Sequence, residues 1–307
     1  MLTLYALLAA ITVLLVLILV MVPSGTPPEP DLPHERTAAG EPRPAPLERR
    51  PQQPPAEERA PQDLDRAPAL SALRRLEDPV RLYFVLDDAG ETLAEIEPFL
   101  RLEFPFTVAV LPHLAQSHEV ATAAAAAGKE VILHQPMEAE NAADPGPGAI
   151  ELGQGSAEIR AILHRNLASL PPVAGVNNHM GSRATRDEAV MQTVFEALHE
   201  RGLFFLDSRT THETVAPRVA AEVGVPIMER DVFLDHIPER EAIETALQHA
   251  LRLAESRGHA VMIGHVMVRE LAEVFEEVYP ELRARGYRFE TLSRYFTHER
   301  DNDDPRD

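Results

Sequence analysis

The chain has 307 residues, enough for one large domain or two ordinary ones. Its 29 basic side chains stand against 49 acidic ones, a net charge of −20, and such a field repels polyanions, which argues against nucleic-acid binding. There is no cysteine, which excludes disulfides, iron–sulfur clusters and thiol nucleophiles and leaves histidine and carboxylates as the ligands of any metal site.

Residues 1–22 carry no charged side chain, and a bilayer-spanning helix needs about 20 apolar residues. No Lys or Arg follows Met1 and no clean small-residue cleavage site follows the apolar run. The segment therefore reads as an uncleaved transmembrane anchor, with a cleaved signal as the alternative. Residues 23–75 hold about half of the chain's 27 prolines, interspersed with Glu and Arg. Such a stretch cannot bury enough apolar surface to offset ordering and reads as a disordered spacer. A folded domain is expected over 76–297 and a charged tail over 298–307.

Within the domain, apolar runs alternate with helical patterns. Strands are expected at 81–87, 106–111, 130–134, 173–177, 203–207, 225–228, 260–264 and 287–290, with helices at 115–127, 156–169, 187–201, 239–257 and 269–284 among them. That alternation predicts a parallel α/β sheet with right-handed crossovers, closed into a distorted (β/α) barrel of about seven strands or left open and doubly wound. The near-continuous apolar strands fit a sheet covered on both faces.

Polar residues fall at the carboxyl ends of these strands: Asp87 and Asp88 in "VLDDAG", His134 in "EVILHQPM", His179 in "GVNNHMGSR", Asp207 in "LFFLDSRT" and His265 in "VMIGHV". In a parallel barrel these ends meet on one face. Asp88, His134 and His179 together would make a divalent-metal site with open positions. A cation would also relieve the repulsion between the paired aspartates. The competing reading of "DDAG" is a polar turn with Asp as a helix N-cap. His265 could act as a proton donor or be a packed loop residue. The other histidines fall on the linker, helices or loops and read mostly as surface.

In order, "VLDDAG", "AVLPH", "GKEVILHQPME", "PGPGAI", "GVNNHMGSRAT", "LFFLDSRT", "RDVFLD" and "IGH" resemble the divergent polysaccharide deacetylase family, bacterial envelope proteins related to the NodB-type polysaccharide deacetylases. The resemblance spans roughly residues 80–296. It implies a metal-dependent hydrolase acting on N-acetyl groups of a glycan, with Asp87 as base, Asp88 and His134 as metal ligands and His265 as the catalytic histidine. The family's second histidine, just downstream of the first, is missing from "HQPMEAE", so His179 is expected to substitute from the next strand. Asn178, Arg183, Asp207 and Arg209 are expected glycan contacts or supports. Zinc is the default metal, with manganese, nickel, cobalt and iron open. The expected partners are a polysaccharide and, through the anchor, the bacterial inner membrane, with the domain facing the periplasm. A barrel without efficient chemistry, serving as a glycan-binding or scaffolding protein, is the alternative.

Overall fold

The computed structural model describes residues 79–303, with side chains as far as 298. The expected anchor and spacer lie outside the described residues. Among the described residues, no helix is long and apolar enough to cross a membrane.

In chain order the elements are β1 (Val80–Ala89), α1 (Leu93–Leu100), β2 (Thr107–Val110), α2 (Ser117–Ala126), β3 (Glu130–Met137), α3 (Ser156–Ala168), β4 (Gly175–Met180), α4 (Glu188–His199), β5 (Phe204–Asp207), α5 (Ala216–Val223), β6 (Ile227–Glu229), β7 (Val232–Phe233), α6 (Arg240–Arg257), β8 (His259–His265), α7 (Arg269–Arg285), β9 (Tyr287–Glu290) and α8 (Leu292–Asp303). Sequence reading missed β7 and did not name α1, α5 or α8. The backbone of α8 runs through Asp303, into the stretch expected as a tail.

Every strand pair is parallel, in the order β6-β5-β4-β3-β2-β1-β8-β7, with β9 beside the lower half of β1. The sheet thus has nine strands rather than about seven, and no ladder joins β6 to β7. One extended segment carries both of those strands and changes partner between them. The Arg230 N–H bonds the Asp207 carbonyl of β5 at 3.0 Å, and the next N–H, of Asp231, bonds the Val261 carbonyl of β8 at 2.9 Å.

The two faces of the sheet follow the strand period of two. Leu82, Phe84 and Leu86 point outward into a core shared with the helices. Tyr83 and Val85 point inward with Ala109, Ile132, Phe204, Leu206, Val261 and Ile263, and Leu292 and Phe296 of α8 complete this inner core. The Leu292 N–H bonds Thr107 Oγ1 and the Ser293 hydroxyl bonds Glu130. Both partners open their strands, so α8 plugs the amino-terminal end of this half-barrel. Inward positions farther up the same strands are Asp87, His134 and His265. The apolar interior therefore turns polar at the carboxyl ends, where side chains have no plug above them.

Candidate metal centre and active site

Adjacent residues on a regular strand face opposite ways, so Asp87 and Asp88 should not share a site. A bulge lets them. Leu86 pairs with Val108 but Ala89 pairs with Val110, which leaves one extra residue on β1. Asp88 takes up the excess at φ 63°, a left-handed conformation that Asp tolerates better than most residues. The N-cap of α1 is Thr92, which accepts from the Glu95 N–H at 3.3 Å. The aspartate pair is therefore a bulge and not a helix cap.

Three side chains converge above it. Asp88 Oδ1 lies 3.0 Å from His134 Nε2 and 2.8 Å from His179 Nδ1, and the two ring nitrogens are 3.2 Å apart. These are the residues that sequence reading grouped. His179 stands on β4 beside β3, where Pro136 is its ladder partner, so the neighbouring strand supplies the second imidazole.

The triangle fits a cation. Ligand atoms about 2.1 Å from a common ion stand about 3.0–3.4 Å apart, depending on geometry. The tautomer fits as well. Asn177 Nδ2 donates to Asp87 Oδ1 at 2.9 Å, because a carboxylate can only accept, and this turns the amide oxygen toward His134 Nδ1 at 2.8 Å. His134 Nδ1 thereby keeps its proton and Nε2 faces Asp88 and His179, as a donor when the imidazole is charged, which burial opposes but Asp87 and Asp88 favour, and as a lone pair when a cation binds. A lone pair facing a carboxylate is unfavourable without a positive charge between them. The hydrogen-bonded far nitrogen is the arrangement that orients metal-binding imidazoles.

Two further titratable groups, Asp87 and His265, lie at the same strand ends. Asp87, only 2% exposed, has Oδ2 3.7 Å from His134 Nε2. Burial raises its pKa against the pull of His134, the repulsion of Asp88 adds to the rise, and His265 and the Asn177 hydrogen bond oppose it; the net direction is upward. Burial also penalises ionised Asp88, but the hydrogen bonds and charges of His134 and His179 hold its carboxyl well below the usual range. The neighbours are thereby differentiated, one suited to accept a proton and one to stay charged. His265 is the ladder partner of Asp87. Its Nδ1 lies 2.9 Å from Asp235 Oδ1, and its backbone N–H donates to Asp235 Oδ2 at 2.6 Å. Burial pulls this imidazole's pKa down, but the hydrogen bond and charge of Asp235, aided by Asp87 and Asp88, outweigh it and push the value up to about 9. Gly264, just before His265, has no room for a side chain because a Cβ would run into Leu271 of α7.

A family model described as divergent polysaccharide deacetylase matches residues 84–296, the stretch that holds all of these groups. The chain belongs to the divergent polysaccharide deacetylase family. Its curated relatives are uncharacterized. It is similar to the uncharacterized protein YibQ of Escherichia coli (strain K12), 34% identical over 220 residues that cover 70% of this chain and 69% of that one. It is also similar to an uncharacterized protein of Haemophilus influenzae, 32% identical over 185 residues covering 60% and 66% of the two chains. The chain thus spans about two thirds of the length of the curated relatives it matches. Among solved structures, uncharacterized protein ATU2773 from Agrobacterium tumefaciens C58 shares the fold at TM-score 0.65 and 20% identity, over 71% of this chain and 89% of that one.

In this family member the expected glycan contacts separate into two groups. Asn178 is buried, donating to the Met180 carbonyl and accepting from the Ser208 N–H. Asp207 is fully buried and accepts from the Arg209 N–H at 2.8 Å. Both brace the wall of the site and are closed off from solvent. Arg183 and Arg209 do reach the surface, where they pair with Glu138 and Glu229. Beside Arg183 a cleft of about 500 Å³ opens, lined by Glu140, Leu152, Arg186 and Asp187. His113, read as surface, bonds Asn166 Oδ1 at 2.9 Å.

Sequence reading missed Asn177 and Asp235. The period of two could have found the first, since Asn177 and His179 share a strand face and Asn178 does not. Asp235 closes "RDVFLD", a motif quoted for the resemblance without a role.

Proposed function

We propose that this chain is a metal-dependent hydrolase that removes N-acetyl groups from an envelope or extracellular polysaccharide. The observation that carries the reading is the Asp88–His134–His179 triangle with Asp87 and its ladder partner His265, held by Asp235, at the same strand ends. A divalent cation held by those three ligands, zinc by default, would polarise an acetamide carbonyl and acidify water beside it.

The protein's own groups account for the proton movements. Asp87 accepts the proton of the attacking water as the carbon–oxygen bond forms. Asn177 holds the carboxylate in place. As the carbon–nitrogen bond breaks, His265 donates a proton to the departing amine, and acetate and a free amino sugar remain. Asp235 fixes the imidazole so that Nε2 carries the transferable proton. The cleft beside Arg183 suits the rest of a polar sugar chain.

The deciding experiment measures bound metal and acetate release on chito-oligosaccharides and peptidoglycan. Metal with acetate release supports a deacetylase. Retained metal with glycan binding and no release would replace it with a glycan-binding role.

The pH profile gives a second expected result. His265 is raised above its ordinary value, so the donor stays charged from acid pH upward and is lost as pH rises toward about 9. A cation near Asp88 offsets part of that rise, so the basic limb of kcat should fall between the ordinary histidine value and 9. Asp235→Asn removes the main support of the charged form and should move that limb down by roughly a unit or more. An unmoved limb would remove His265 as the donor.

The reading also extends to residues 1–22 as an anchor and 23–75 as a spacer that places the domain in the periplasm. Full-length protein should pellet with membranes and resist extraction by salt; recovery in the soluble cytosolic fraction would contradict this.

A further inference from the structure

Where the sheet changes partner between β6 and β7, no ladder holds the two sides together, yet His265 stands immediately above on β8. Arg230 occupies the hand-over. Its Nε donates to the Ser208 carbonyl at 2.8 Å and its Nη2 to the Arg209 carbonyl at 3.0 Å, both in the loop after β5. Its guanidinium carbon lies 3.7 Å from the centre of the Phe233 ring. Phe233 stacks in turn on the His265 imidazole, with centroids 5.6 Å apart and planes 27° from parallel. The chain of contacts runs from the β5 loop through a fixed planar cation and an aromatic ring to the imidazole.

We propose that Arg230 and Phe233 are positioning residues that fix the plane of the His265 imidazole by clasping the β5 loop to β7 across the unladdered seam. Asp235 holds one edge of the ring, through Nδ1, and an edge contact alone leaves the ring free to rock about that bond. The Phe233 face removes this freedom. Arginine suits the task because its planar fork can bond two carbonyls while lying flat on a ring. Lysine offers a point charge without the plane. A cation–π stack of this kind is too weak to hold the fold together and strong enough to select one ring orientation. The role rests on the proposed function of His265, and the test therefore needs a readout independent of turnover.

That readout is the His265 ring proton, followed by NMR in the zinc-loaded full chain with labelled histidine and assigned by its loss in His265→Ala. Phe233→Leu should abolish the ring-current shift, and Arg230→Met should shrink it by releasing the ring. Phe233→Tyr should restore it, and Arg230→Lys should fall between Arg230→Met and wild type. In acetate release, Phe233→Leu and Arg230→Met should each lower kcat by about tenfold, with KM unchanged, as expected for a misplaced donor. In a His265→Ala background neither should lower kcat further. A His265 signal that stays in place in both Arg230 variants overturns the proposal, as does a kinetic loss that persists undiminished without His265. If the wild type releases no acetate, the deacetylase reading falls, and the NMR arm still decides whether the clasp orients the imidazole.

Discussion

Replacing Asp87 with asparagine should leave metal content unchanged and lower acetate release by about 100-fold or more, the usual worth of general base help and about 2.7 kcal/mol of transition-state stabilisation. The substitution keeps the size of the side chain and its ability to accept from Asn177. It removes only the basicity, which burial tunes upward. The metal should stay because the ligand atom at this bulge belongs to Asp88, whose Oδ1 sits between both imidazoles. Metal analysis and kinetics on the same preparation check the result. Release of the metal by Asp87→Asn would mean that the two aspartates exchange roles.

His179→Ala should have a larger effect of another kind, losing metal and activity together. It removes one corner of the triangle and leaves a single imidazole and a single carboxylate, too few ligands to hold a hydrated divalent ion against buffer. The wild-type chain should also gain thermal stability on addition of zinc, since an ion that binds only the folded state stabilises it by mass action. The variant should not. A variant that keeps its metal would remove His179 from the ligand set and leave the absent second histidine of the family pattern without a substitute.

Most of the sheet was legible because its strands are buried on both faces and so appear as unbroken apolar runs. The site was legible because polar side chains at the ends of such runs have no packing reason to be there. What stayed hidden depends on geometry between distant segments. The bulge at Asp88 exists only relative to β2. β7 is two residues long and gains its ladder from β8, so no local pattern marks it. α8 offers little more than Leu292, Tyr295 and Phe296 to the inner core amid polar residues, so it was not named as a helix and its part from 298 read as a charged tail. Asn178 and Asp207 looked like substrate contacts or supports because they are polar and near the histidines, and the support reading fits, since each lies on the face of its strand that turns from the site toward the helices.

The place of β1 has a consequence for how the chain acquires its structure. The first strand of the domain to be synthesised lies between β2 on one side and β8 on the other, with β9 beneath β2, and the plug that seals its inner face is the last of the described helices. Its hydrogen-bonding edge and the side chains of Tyr83 and Val85 must therefore wait for partners about 180 residues downstream, a loop closure of the kind that makes folding slow. Until then an apolar ten-residue strand is open to pairing with another chain. Asp87 and Asp88 sit at the end of that strand, and in the unfinished chain, before any imidazole has arrived to satisfy them, their adjacent charges oppose strand-to-strand stacking. The carboxylates proposed for the chemistry of the finished protein thus also oppose mispairing of its first strand while it is being made.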